Sequence, residues 1–164
     1  MIAPDEQVFE DVPHFRRVLV PLKLGIIGEE MAATAIKLAS EHGAAVEALH
    51  VIEVPLDRPL DAPLEAKEAE AAESVDEARR LGEELGVEVA GTTVRARSIG
   101  SAIVEHARES GADLIVLGSS PRWRRQSRFF SPTVDYVLRR APCEVLIVAF
   151  PQRVLDEELA AGRP

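Results

Sequence analysis

The stretch from residue 113 to residue 148 constrains the fold of this chain more than any other. It holds two short apolar runs separated by a basic loop and a helix-like segment. Leu114, Ile115, Val116 and Leu117 make a continuous apolar run, too short for a helix and stopped by Gly118, which predicts a buried strand over 113–118. Val145 to Val148 predicts another. Between them Val134, Val137, Leu138 and Ala141 recur at helical spacing, with Ser131 placed as N-cap and Pro132 at the first helical position, where a missing N–H costs nothing. The unit is strand, loop, helix, strand. In a parallel unit of this kind the loop after the first strand opens at the carboxyl end of the sheet, where the next helix presents unpaired N–H groups and a partial positive charge. Here the loop adds Arg122, Arg124, Arg125 and Arg128, with no acidic residue between Asp113 and Asp135. Two expectations follow from the residues, a solvated basic face or an anion site.

The rest of the chain repeats the alternation. Arg16 to Leu22 predicts a strand whose pairing ends near Pro21. A helix over 29–42 places Ala32, Ala35, Ile36 and Ala39 on one face, and Gly43 stops it. A second strand spans 46–54, and Pro55, Pro59 and Pro63 then break the chain before an acidic helix. That helix carries the stripe Ala71, Val75, Ala78, Leu81 and Leu85, with Gly86 at its end. A more exposed strand is expected over 87–94 and a helix over 101–110. Residues 1–15 read as an arm and 151–164 as a tail, the latter forming one or two helical turns or none. Five strands alternating with four helices predict a single α/β domain over 16–150, a doubly wound, mostly parallel, Rossmann-like sheet with helices on both faces.

Charge and motifs narrow the function. Of the 164 residues 46% are apolar, enough for one substantial core, and the stretch from Glu53 to Glu88 carries nearly all of the net charge of −9. An acidic chain argues against wholesale nucleic-acid binding, which rests on neutralising phosphates. No run approaches the roughly 20 apolar residues of a membrane span, and the acidic, proline-broken N-terminus is unlike a signal peptide, so a cytoplasmic protein is expected. The chain lacks a Walker A loop, a nucleophile elbow, a zincin helix and paired cysteines. Its single Cys143 is expected to pack as a small core residue. His50 and His106 are expected to be structural, as are Phe129 and Phe130, which would anchor the basic loop. No catalytic or metal-ligating set emerges, and no enzyme is expected.

RRVLVPLKL, EALHVIEVP, ADLIVLGSS and SPTVDYVLRRAPCEVLIV together resemble the universal stress protein (UspA-like) domain over nearly the whole of residues 16–149. The resemblance implies a five-stranded parallel sheet in the order 3-2-1-4-5, a homodimer, and ATP or AMP as the cofactor of a nucleotide-binding subset. That subset carries a loop of three spaced glycines followed by Ser or Thr, and an aspartate at the end of the first strand that contacts adenine. In this chain Gly118 matches the first glycine, Pro121 stands at the second, Ser131 at the third, Pro132 at the Ser/Thr position and Lys23 at the aspartate. Each proline removes a donor and fixes φ, so family-type ATP binding is expected to be impaired. The wording WRRQSRFFSPTVDYVLRRAPCEVLIVAFP is also similar to cytosolic tail domains of amino-acid permeases, which implies such a permease as a protein partner.

The sequence thus points to a regulatory module that acts by dimerisation and partner binding, or else to a sensor of a nucleotide or other anion through the basic loop. The ligand-binding candidates are Lys23, Val51, Gly118, Ser119, Arg122, Arg124, Arg128, Ser131 and Thr133. Val145 and Ile147 are the dimer candidates, on an apolar strand at the sheet edge.

Overall fold

The computed structural model describes residues 14–118 and 130–162. Among them five strands, β1 (Arg17–Pro21), β2 (Ala45–Glu53), β3 (Val89–Ala96), β4 (Leu114–Gly118) and β5 (Glu144–Val148), alternate with five helices, α1 (Ile26–His42), α2 (Glu65–Glu84), α3 (Ile99–Ser110), α4 (Pro132–Arg140) and α5 (Gln152–Ala160). The strands form one sheet in the order β3-β2-β1-β4-β5, and every neighbouring pair is parallel. The expected doubly wound α/β architecture is the observed one. Strand alternation divides the interior into two layers. Val18, Val20, Val46, Ala48, Leu114 and Val116 pack with α1, α2 and α5, whereas Leu19, Leu49, Ile115 and Leu117 pack with α3 and α4. Both faces of the sheet are covered, which is why its inner strands read as unbroken apolar runs.

Local chemistry moves several boundaries from their expected places. β3 starts at Val89, not Val87, because α2 ends in a Schellman turn. Gly86 takes a left-handed φ of 71°, and the Val87 N–H is drawn back to Gly82 O at 2.8 Å. Helix α3 starts two residues earlier than expected, since the Ser98 side chain caps the Ser101 N–H at 3.3 Å. Helix α1 starts at Ile26, where Gly25 turns the chain with φ 108°. Its first turn runs hard against the preceding loop: a Cβ on Gly28 would stand 1.6 Å from Lys23 O.

The residues after Pro151 are helical. α5 buries Val154 and Leu155 in the layer that also holds α1, and Glu158, only 1% exposed, accepts the Ile27 N–H at 3.3 Å. Gly25 has no side chain with which to cap α1, and Glu158 supplies the missing acceptor from the far end of the chain.

Asp113 fixes the start of the central pair of strands. Its two carboxylate oxygens accept from the Arg16 N–H at 2.8 Å and the Arg17 N–H at 2.9 Å, while its own N–H bonds Arg17 O at 3.0 Å. Asp113→Ala removes both side-chain bonds and is expected to lower stability by about 1–3 kcal/mol, read as a reduced urea midpoint with an unchanged slope.

Candidate functional site

At the carboxyl end of the sheet the strand order reverses between β1 and β4, and a cleft of about 420 Å³ opens there, within the roughly 300–1,000 Å³ typical of small-molecule sites. This is the position at which open parallel sheets bind ligands. Pro21, Leu22 and Lys23 follow from β1, His50 and Val51 from β2, Leu117 and Gly118 from β4, and Ser131, Thr133 and Val134 from the start of α4. Ile27 and Met31 of α1 and Ile99 and Ile103 of α3 give it apolar walls. Gly118 is closely packed, since a Cβ on it would lie 3.2 Å from both Met31 Sδ and Phe150 Cε2.

Four of the five described ligand candidates contribute charge, hydroxyls or close backbone. Lys23 is exposed at the rim. The Ser131 hydroxyl accepts the Val134 N–H at 3.2 Å, as a cap should, and Pro132 has no N–H. Of the first-turn donors of α4, the Thr133 N–H is the one left facing a ligand among the described residues. Asp135 sits in the same turn and pairs with Arg139 at 3.0 Å. This helix end therefore offers an anion less than an uncapped, carboxylate-free one would.

His50 and Glu70 form the polar wall that sequence reading missed, with Ser74 behind His50. His50 Nδ1 lies 2.6 Å from Ser74 Oγ, and Ser74 Oγ also donates to Ala71 O at 3.1 Å. Burial holds the His50 pKa below its ordinary value of 6.5, against a smaller upward pull from Glu70. Glu70 and Ser74 are one helical turn apart on α2, so the same face carries both to His50. A Ser and a His this close resemble a nucleophile and base, but Ser74 is buried in mid-helix and is not among the residues lining the cleft.

Lys23, Val51, Gly118, Ser131 and Thr133 all line the one cleft. Ser119, Arg122, Arg124 and Arg128 lie outside the described residues, as do Pro121, Arg125 and Phe129. Phe130, just before α4, is 39% exposed. His106 bonds Glu47 at 2.7 Å across α3 and β2, and Thr92 Oγ1 donates to the same carboxylate, a structural role. Cys143 is half-buried against the α3–α4 layer. Burial, then the charges of Asp113 and Glu144, push its thiol pKa up, away from a reactive thiolate. Among the described residues no group of three or more His, Cys, Asp or Glu is placed to hold a metal ion, and no helix is long and apolar enough to cross a membrane.

A doubly wound sheet with a ligand-sized cleft at its switch point defines a nucleotide-binding type of α/β domain. The family model for the universal stress protein family matches residues 14–149, and the chain belongs to that family. It is 26% identical over 145 residues to the universal stress protein MJ0531 of Methanocaldococcus jannaschii, covering 85% of each chain. Among solved structures it is similar to the universal stress protein UspA of Lactobacillus plantarum, with a TM-score of 0.68 at 22% identity over 84% of this chain and 99% of that one. It is also similar to the universal stress protein of Archaeoglobus fulgidus in complex with dAMP, with a TM-score of 0.65 at 19% identity over 82% and 98%. At these identities the structural likeness speaks for the fold.

The lowered His50 pKa makes stability depend on pH. Unfolded, His50 takes up its proton near 6.5, and folded it does so only at lower pH. The unfolded state binds more protons between the two values, so this contribution is fully present above about pH 6.5 and is lost as pH falls through the folded pKa. Urea midpoints are expected to drop on going from about pH 7 to pH 5.5, and His50→Gln should drop less over the same interval. Equal slopes for the two proteins would show that His50 is not the group responsible.

Proposed function

We propose that this universal stress protein is a non-catalytic regulatory module that senses a small anionic ligand of the nucleoside monophosphate class and acts as a homodimer. The observation that carries the reading is the cleft: it lies at the switch point and collects every described ligand candidate in one place. Apolar walls on both sides suit a flat ring, and Lys23 at the rim and Thr133 on α4 suit a single phosphate. A relative of the same fold was captured with dAMP, which supports that ligand class.

Triphosphate binding is the part we propose to be weakened. Pro121 and Pro132 each lack an N–H, the Val134 N–H is already taken by Ser131, and Lys23 replaces an adenine-facing carboxylate. The reading includes no reaction, because the cleft brings no activated nucleophile or metal cluster together among the described residues. The cytoplasm as its location and a protein partner such as an amino-acid permease complete the proposal, the latter resting on the wording of residues 123–151.

Dimerisation rests on β5. Among the described residues it pairs only with β4, which leaves its other edge without a strand partner there. Val145 and Ile147 are half-buried against the α3–α4 layer, whereas Leu146 is 39% exposed. An apolar edge strand of this kind invites pairing with a second copy about a two-fold axis. Light scattering should give a dimer mass, and Leu146→Asp a monomer with an unchanged circular dichroism spectrum. A monomeric native protein at micromolar concentration would reject the dimer.

For the ligand, AMP is expected to raise the melting temperature of the native protein, because a ligand that binds only the folded state stabilises it. ATP should bind no tighter than about millimolar. Lys23→Asp, Pro121→Gly, Ser131→Gly and Pro132→Ser combined should improve ATP affinity by about a hundredfold or more, since each restored bond to a charged group contributes about 1.5–3 kcal/mol and a tenfold change takes about 1.4 kcal/mol. Calorimetry on both proteins decides it, and micromolar ATP binding by the native chain would overturn the reading of the prolines.

A further inference from the structure

The connection between β2 and α2 repeats one triplet at a spacing of four residues: Pro55–Leu56–Asp57, Pro59–Leu60–Asp61 and Pro63–Leu64–Glu65. The first two repeats form the same turn. Pro55 O accepts the Arg58 N–H at 3.2 Å and Pro59 O the Ala62 N–H at 3.1 Å, so Leu56 and Leu60 hold the second position of successive turns. The third repeat runs into α2, where Leu64 is half-buried. Side chains of the body engage the carbonyls of this connection: Arg97 takes those of Val54 and Pro55, Arg95 those of Leu60 and Ala62, and Lys67 that of Glu53. Its leucines stay outside. Leu56 is 88% and Leu60 47% exposed, and Pro55 and Pro59 beside them are exposed too. A lone surface leucine is ordinary. Two at matching places on a backbone pinned by three cations are a fixed apolar presentation.

Charge defines what this element fits. Asp57 and Asp61 flank the leucines, and Glu105 and Glu109 of α3 line a groove of about 420 Å³ that Leu60 borders together with Val94, Ala96 and Ala102. Arg95 is paired with Glu68 and Arg97 is directed at carbonyls, so the surface a partner meets is acidic around an apolar centre. We propose that residues 55–62 are a preformed docking element for a partner protein, Leu56 and Leu60 entering an apolar pocket of that partner whose rim carries Lys or Arg. Ordering a loop is a large part of the cost of association, and here folding has already met it. The inference rests on the regulatory reading above, to whose protein partner it gives a surface, and it does not depend on the nucleotide.

The test uses the full chain. Peptides are selected from a random phage-displayed library on the native protein, and the recovered sequences are synthesised as probes. They should carry aromatic or aliphatic side chains between Lys or Arg, and their affinity should fall at high salt. Leu56→Ser with Leu60→Ser, both at exposed positions, should weaken binding at least about tenfold at an unchanged melting temperature. Arg95→Gln with Arg97→Gln keeps the leucines but frees the loop, and should weaken binding by a smaller factor. In ¹H–¹⁵N spectra of the native chain the probe should shift the amides of Leu56, Asp57, Leu60 and Asp61, whereas AMP should shift those of Gly118 and Thr133, so either reading can fail alone. Acidic peptides, peptides that bind the leucine double variant equally well, or no recovered binder overturn the proposal. Loss of the dimer in that double variant would assign the leucines to a second copy and overturn it equally.

Discussion

The pairing of β1 with β4 is the constraint from which the site follows. The two strands are in register only at Val18↔Leu114 and Leu19↔Ile115, whereas β1 pairs with β2 over five residues and β4 with β5 over five. Asp113 clamps the amino end of this short ladder by taking the N–H groups of Arg16 and Arg17. Past Leu19 the strands have discharged their mutual hydrogen bonds. Their carboxyl ends, with the starts of α1 and α4 leaving on opposite faces, border the cleft. A cleft at this place costs the core little, because the helices on each side still bury Leu19 and Ile115 completely.

What fills the cleft walls sets what it can hold. Ile27, Met31, Ile99, Ile103 and Leu117 offer flat apolar surface, and the polar groups are few and separated: a lysine at the rim, one helix end, and the imidazole and carboxylate of the α2 side. The α4 end is a poor phosphate cradle by local chemistry. Ser131 and Pro132 make a well-formed helix start, and the same two residues consume or delete the N–H groups that an oxyanion would need. Good capping and strong anion binding compete for the same donors.

The C-terminal helix shows the same economy at the same end of the sheet. α5 lies beyond the residues matched by the family model, yet Phe150, Val154 and Leu155 belong to the main core layer and Glu158 completes the start of α1. Phe150 also touches Gly118 at the floor of the cleft. The proline-rich connection before α2 is likewise fixed from a distance: Arg97 reaches the carbonyls of Val54 and Pro55, Arg95 those of Leu60 and Ala62, and Lys67 that of Glu53.

The sequence by itself determined the elements, because their signals are local. Apolar runs, the Ser131–Pro132 start and the glycine stops act within a few residues, and burial on both faces of a parallel sheet follows from their alternation. The resemblance carried by RRVLVPLKL, EALHVIEVP, ADLIVLGSS and SPTVDYVLRRAPCEVLIV added the strand order and five cleft residues by number. Only the tertiary structure decided the rest. His50 read as a core histidine because nothing near it in sequence marks a partner, and Ser74, 24 residues away, reaches it only after β2 and α2 pack. Glu158 finds the Ile27 N–H across 131 residues. A buried polar contact between distant segments leaves no periodic trace in the chain, since it is fixed by how layers stack and not by how any one segment coils.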